Sequence, residues 1–140
     1  MITAVDTSVL LDVFTADSRF VAASQECLRT ALREGALVAN EVVFAELRPW
    51  FADRSRFEDA VSVLGLEFVP SGREAAMVAG EAFLRYRQAG GPREHLIPDF
   101  LVAGHALTCA DRLLTRDRGF YRRWFEDLAL MEPGSGSPVG

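Results

Sequence analysis

Ile2-Thr3-Ala4-Val5-Asp6-Thr7-Ser8-Val9-Leu10-Leu11-Asp12 decides the fold. Residues 2–6 read as a strand that ends on an acid, and Thr7-Ser8 caps a short helix reaching Val13. The same alternation continues outward. A helix over 18–34 carries Phe20, Val21, Ala23, Cys27, Leu28, Ala31 and Leu32 at helical spacing and stops at Gly35. A strand over 36–39 leads to a helix from 41 to about 51 that Pro49 bends, then to a helix over 56–64 and a strand over 66–69. Residues 72–89 form a helix ended by Gly90-Gly91, and 91–95 are a loop. Helices over 98–111 and 119–125 alternate with strands over 113–115 and 128–131. This order predicts an α/β fold, a three-layer α/β/α sandwich with a central parallel sheet and right-handed crossovers. The domain spans residues 1–132, and 133–140 form a flexible tail with no core-forming side chain beyond Val139.

With 140 residues, 49% of them hydrophobic, one domain can bury a core and two are not expected. No apolar stretch is long enough to span a membrane and no secretory signal is apparent, so the cytoplasm is the expected location. Cys27 and Cys109 have no metal-ligand spacing and read as reduced core residues. A net charge of −5 argues against wrapping nucleic acid by bulk electrostatics and leaves room for a local basic rim. All 15 basic residues are arginine, which removes P-loop, Schiff-base and Ser-Lys chemistry.

Asp6, Glu46, Asp99 and Asp117 each interrupt or follow an apolar stretch, which places them at the edge of the core. Two unit charges 4 Å apart repel by about 4 kcal/mol at an effective dielectric near 20. If the fold gathers these carboxylates, a cation must hold them, and hard oxygen donors favour Mg²⁺ or Mn²⁺. Asp6 and Asp117 follow strands of a parallel sheet and so project toward its carboxyl edge, where such sheets bind ligands. Asp99 also reads as an acid that complements a helix N-terminus. Glu46, among Val42, Val43, Leu47 and Trp50, is harder to explain as a solvated side chain.

Asp6-Thr7-Ser8-Val9-Leu10-Leu11-Asp12, Ala45-Glu46-Leu47, Pro98-Asp99 and Leu114-Thr115-Arg116-Asp117-Arg118-Gly119-Phe120 together resemble the four motifs of PIN-domain ribonucleases, most closely the VapC-type toxins of bacterial toxin-antitoxin pairs. The resemblance covers residues 1–132. It implies that Asp6, Glu46, Asp99 and Asp117 are catalytic and bind metal, with Thr7 or Ser8 and Thr115 supporting them through their hydroxyls. It further implies an RNA substrate, a VapB-like antitoxin partner and a homodimer. His105, in a helix where this family carries apolar or small residues, departs from the pattern, as does the lack of lysine.

Arg112, Arg116 and Arg118 flank Asp117 and are candidates for RNA phosphates. His95 and His105 read as surface residues, with His95 near enough to Asp99 to touch substrate. Asp12 and Asp111 fall outside the metal set, and Asn at either should cost little. Phe44, Trp50, Phe51 and Phe57 suggest an exposed apolar face over 41–64, hence a dimer surface. A receiver domain or a haloacid-dehalogenase phosphatase would need a lysine, and the latter an acid at position 8, where Ser8 stands. A PIN nuclease of RNA processing and a non-catalytic acidic binding module remain as alternatives.

Overall fold

The parallel sheet predicted from the alternation is present in the computed structural model, which describes residues 1–134. The expected tail falls outside the described residues from position 135 onward. Strands β1 (Ile2–Val5), β2 (Ala36–Ala39), β3 (Leu66–Phe68), β4 (Arg112–Leu114) and β5 (Leu130–Met131) pair in parallel in the order β3-β2-β1-β4-β5. Ala4 stands opposite Val38 on one side and Leu113 on the other. Because both sheet faces are covered, the central strands are apolar runs rather than alternating ones: Ala4, Val5, Leu37, Val38, Leu113 and Leu114 are all buried.

Helices α1 (Thr7–Phe14) and α2 (Val21–Glu34) join β1 to β2, and α3 (Glu41–Leu47) and α4 (Arg54–Leu64) join β2 to β3. From there α5 (Gly72–Gln88) and α6 (Ile97–Cys109) carry the chain back past β1 to β4, and α7 (Arg118–Trp124) leads to β5. Right-handed crossovers put the first four helices on one face and the last three on the other. The strand order reverses between β1 and β4, which opens a crevice at their carboxyl ends.

The helices start where the sequence supplies acceptors. Asp6, Asn40 and Asp53 cap α1, α3 and α4, accepting from the amides of Thr7, Val43 and Arg56 at 2.9, 3.2 and 2.8 Å. The helix expected from residue 18 begins instead at Val21, since Asp17 accepts from the amides of Arg19 and Phe20 and holds those residues in a turn. The helix expected through residue 51 ends at Leu47, and Pro49 sits in a 3-10 turn over Arg48–Trp50. A β-carbon on Gly104 would lie 2.5 Å from the Ala75 carbonyl oxygen, so α5 and α6 meet along small residues that include Ala75 and Ala79.

Four expectations are corrected. His105 is 1% exposed, packed inside the helix layer, and burial lowers its pKa. The aromatic face over 41–64 is largely used internally. Phe44 and Phe51 pack edge-on or tilted against Phe57 at 5.5 and 5.4 Å, and Phe44 also meets Phe68 at 5.0 Å. Of the four aromatic residues expected there, Trp50 is the one that stays exposed, at 61%. Cys27 and Cys109 are free thiols but partly buried rather than core.

The fourth correction concerns Asp12, where Asn was expected to cost little: the residue is 3% exposed. Its carboxylate takes two hydrogen bonds from Arg116, at 2.9 and 3.1 Å, and one from the Ser24 hydroxyl at 2.7 Å, tying α1 to α2 and to the segment after β4. Breaking a buried ion pair costs about 3–5 kcal/mol, and the partial exposure of Arg116 lets it rehydrate and lowers that figure. Asp12→Asn should therefore destabilise the fold by about 2 kcal/mol, whereas Asp12→Asn within 0.5 kcal/mol of wild type in urea denaturation would show the pair to be neutral.

Candidate active site

Each of the four acids is delivered by a different part of the fold. Asp6 follows β1 and extends the sheet, its amide donating to the Leu114 carbonyl at 2.9 Å. Glu46 lies in the last turn of α3, Asp99 in the first turn of α6 after Pro98, and Asp117 immediately before α7. All four line one cavity of about 650 Å³ at the carboxyl edge of the sheet, together with Thr7, Ser8, Leu11, Trp50 and Arg116.

Asp6 is the most confined of them. Its Oδ1 accepts from the Thr7 amide at 2.9 Å, while Oδ2 accepts from the Thr115 hydroxyl at 2.8 Å and the Tyr121 hydroxyl at 3.4 Å. Burial pushes its pKa up to about 6, the hydrogen bonds from Thr115 and Thr7 oppose that rise, and the charges of Asp99 and Glu46 add to it. Burial, then the surrounding acids, hold the Tyr121 phenol well above its usual range. Asp99 accepts from the Leu96 amide at 3.1 Å, and its own amide donates to the Leu96 carbonyl. Burial raises its pKa; the Leu96 amide and His95 oppose the rise, and Asp117 adds to it. Glu46 accepts from the Thr7 hydroxyl at 2.6 Å, and Asp117 is joined to His95 Nε2 at 2.8 Å.

The chain matches the family model described as the PIN domain over residues 3–125. It belongs to the PIN-domain family. No curated protein matches it by sequence. In fold this PIN domain is similar to VapBC2 from Rickettsia felis, solved bound to a DNA fragment from its promoter, at 18% identity and a TM-score of 0.72 over 95% of this chain and 99% of that one. It is similar also to VapBC-1 from nontypeable Haemophilus influenzae, at 16% identity, a TM-score of 0.72 and coverage of 94% and 98%. A toxin-antitoxin complex from Klebsiella pneumoniae has 15% identity, a TM-score of 0.62 and coverage of 85% and 89%.

The PIN domain thus brings Asp6, Glu46, Asp99 and Asp117 to one cavity, although Glu46 and Asp117 stand exposed at its rim rather than half-buried. Among the described residues, no cluster of three or more His, Cys, Asp or Glu side chains is drawn up at metal-holding distance. Three of the carboxylates are held elsewhere, by the Thr7 hydroxyl, the Leu96 amide and His95. Thr7 and Thr115 support acids through their hydroxyls, while Ser8 lines the cavity.

The three arginines separate. Arg116 lines the cavity, but its guanidinium is engaged by Asp12 and lies 4.0 Å from the Phe20 ring centre. Arg112 opens β4, at the far end from Asp117, and binds Glu34 at 2.5 Å and Thr3 at 2.9 Å. Arg118 faces Glu132 at 3.6 Å. Neither Arg112 nor Arg118 lines the acidic cavity.

His95 is the residue the sequence undervalued. Its ring lies parallel to Phe120, with centres 3.7 Å apart and planes 4° off, and only 19% of its side chain is exposed. No local signal pointed to this placement, because both partners, Asp117 and Phe120, lie more than twenty residues further along the chain. Asp6 supplies a test of the charge crowding. A raised folded-state pKa contributes stability that is complete below the ordinary carboxylate range and is lost as pH rises toward about 6. Asp6→Asn keeps the acceptor for Thr7 but replaces the oxygen that accepts from Thr115 and Tyr121 with a donor, so its stability relative to wild type should rise by on the order of 2 kcal/mol between pH 4 and pH 7.5. A difference independent of pH in urea titrations would disprove the charge origin.

Proposed function

We propose that this PIN domain is a metal-dependent endoribonuclease that hydrolyses RNA phosphodiester bonds, and that it is the toxin of a type II toxin-antitoxin pair, of the VapC type. The observation that carries the reading is the set of four carboxylates, one from each of four separate elements, facing one open cavity at the strand-order reversal. The toxin role draws on the fold shared with VapBC proteins and with a toxin-antitoxin complex.

The donor set fits Mg²⁺ or Mn²⁺: it is wholly carboxylate, and burial, with a smaller contribution from the neighbouring acids, raises the pKa values of Asp6 and Asp99 by penalising a charge that a divalent cation would offset. Asp6, Glu46, Asp99 and Asp117 would hold the ion. The chemistry supplied by such an ion when bound is Lewis-acid activation of water and neutralisation of charge at the phosphodiester. Thr115 and Tyr121 orient Asp6, Thr7 orients Glu46, and His95 orients Asp117. With the hydrolytic water as nucleophile, no side chain needs to form a bond to phosphorus.

A VapB-like antitoxin is the proposed partner, because an acidic cavity of this kind accepts an arginine or lysine side chain in place of a cation. No helix of the described residues is long and apolar enough to cross a membrane, which agrees with the proposed cytoplasmic setting. Self-association as a homodimer is proposed through exposed apolar residues such as Met77 and Leu84, one face of α5, now that the aromatic residues of 41–64 are accounted for. Light scattering at micromolar concentration giving only a 15.4 kDa species would exclude it.

Replacing Asp99 with Asn, or Glu46 with Gln, preserves shape and removes a charge. Mn²⁺-dependent cleavage of structured RNA should fall by orders of magnitude in both variants and in excess EDTA. Cleavage that survives in Asp99→Asn, or is undiminished by EDTA, would refute the metal-dependent nuclease reading. Co-expression with a neighbouring small antitoxin gene should suppress toxicity and yield a complex, and failure on both counts would remove the toxin assignment.

A further inference from the structure

A second cavity, of about 390 Å³, adjoins the first and shares Asp117 with it. Its walls are largely aromatic, formed by Tyr86, His95, Phe120 and Trp124, with Arg123 set against the two acids Glu94 and Asp117. The wall is built rather than incidental. Gly90 adopts a φ of 79°, the Gly91 amide donates to the Tyr86 carbonyl at 2.8 Å, and the Tyr86 hydroxyl donates to the Pro92 carbonyl, which folds the loop over the end of α5. Any side chain at Gly91 would collide with the Tyr86 ring, 2.3 Å from the position of a β-carbon. At the other end of that loop, His95 is clamped between Phe120 and Asp117.

Trp124 stands edge-on to Tyr86 at 5.2 Å, and its ring carries the planar guanidinium of Arg123 at 5.0 Å. A flat cation on the face of a tryptophan occupies the position that a stacked nucleobase takes, and arginine beside an aromatic ring is a pairing that binds single strands.

We propose that this second cavity is a nucleobase subsite: it takes the unpaired base of the nucleotide next to the phosphodiester held at the acids, stacked on Trp124, with Arg123 turned to the adjoining phosphate. The proposal rests on the ribonuclease reading and adds to it the place where this chain holds the base beside the cut, which has to be unpaired and unstacked to enter. A continuous strand crossing Asp117 enters both cavities. The cavity is indifferent to base identity at the stacking face, because every base presents a π surface.

The test uses a fluorescein-labelled single-stranded RNA of twelve residues and the same RNA with one abasic ribose at successive positions. Anisotropy with Ca²⁺ in place of Mn²⁺ reads binding with the acids still neutralised by a hard cation, and Mn²⁺ assays locate the cut. For the wild type, one abasic position, adjacent to the cut, should weaken binding about tenfold. Trp124→Ala should lose the same factor on intact RNA and show no further loss with that abasic RNA, while Trp124→Phe retains most of the effect. Arg123→Ala, at an exposed position, should weaken both RNAs equally; it keeps the proposal testable if Trp124→Ala does not fold. Loss of binding at one abasic position with no Mn²⁺-dependent cleavage by the wild type would support the subsite and defeat the nuclease reading. Cleavage by the wild type with equal affinity for all the abasic RNAs, or with abasic sensitivity unchanged in Trp124→Ala, would overturn the subsite and leave the nuclease reading standing. Trp124→Ala that loses only antitoxin affinity would overturn it too, by assigning the surface to a protein.

Discussion

An ionised carboxylate at the end of a central strand is held against two opposing costs, desolvation by the core beneath it and repulsion by its acidic neighbours. Asp6 meets both. It is joined to the sheet through the Leu114 carbonyl, to α1 as its cap, and to Thr115 and Tyr121 through one oxygen. The bonds from Thr115 and Thr7 lower its pKa, yet burial wins and the value rises to about 6. Elements from both halves of the fold therefore meet on a group that would be more stable neutral. Such a site stores a preference for positive charge, and the architecture around it keeps the preference from relaxing, because moving Asp6 would break the pairing of β1 with β4.

The neighbouring acid, Asp12, shows the opposite solution. It is more deeply covered as a residue than Asp6, yet it is matched by a bidentate guanidinium and a serine hydroxyl. Two acids six residues apart thus occupy different electrostatic states, one satisfied by the protein and one left for something outside it. Acidity alone does not make that distinction; the presence or absence of a matching guanidinium does.

The sheet and its helices were legible because periodicity reports burial: short apolar runs in the strands and helical spacing in α2, α5 and α6 each leave a local mark. The carboxyl-edge placement of Asp6 and Asp117 followed from topology alone. What escaped the sequence was pairing. Nothing local distinguishes Asp12 from a surface acid, because its partner Arg116 lies more than a hundred residues away. His105 looked like a surface histidine in a mostly apolar helix, and the groups beside it, the Val69 backbone and Glu41, come from distant parts of the chain. The phenylalanines of 41–64 looked exposed because their partners are one another and Phe68, a set assembled only when α3, α4 and β3 come together.

The same pairing argument reshapes the basic surface. Three arginines near Asp117 in sequence suggested a rim for phosphates, but Arg112 serves Glu34 at the far end of β4 and Arg116 serves Asp12. On a chain of net charge −5, nonspecific attraction for a polyanion is weak, so affinity for an RNA strand has to come from contacts that do not depend on net charge. Aromatic faces provide such contacts, being indifferent to salt where phosphate contacts are not. The exposed Trp50 at the rim of the acidic cavity and the Trp124 wall beyond Asp117 lie on that pattern. With Arg112, Arg116 and Arg118 engaged by Glu34, Asp12 and Glu132, the salt dependence of the proposed RNA binding would be set by arginines beyond them, Arg123 among them.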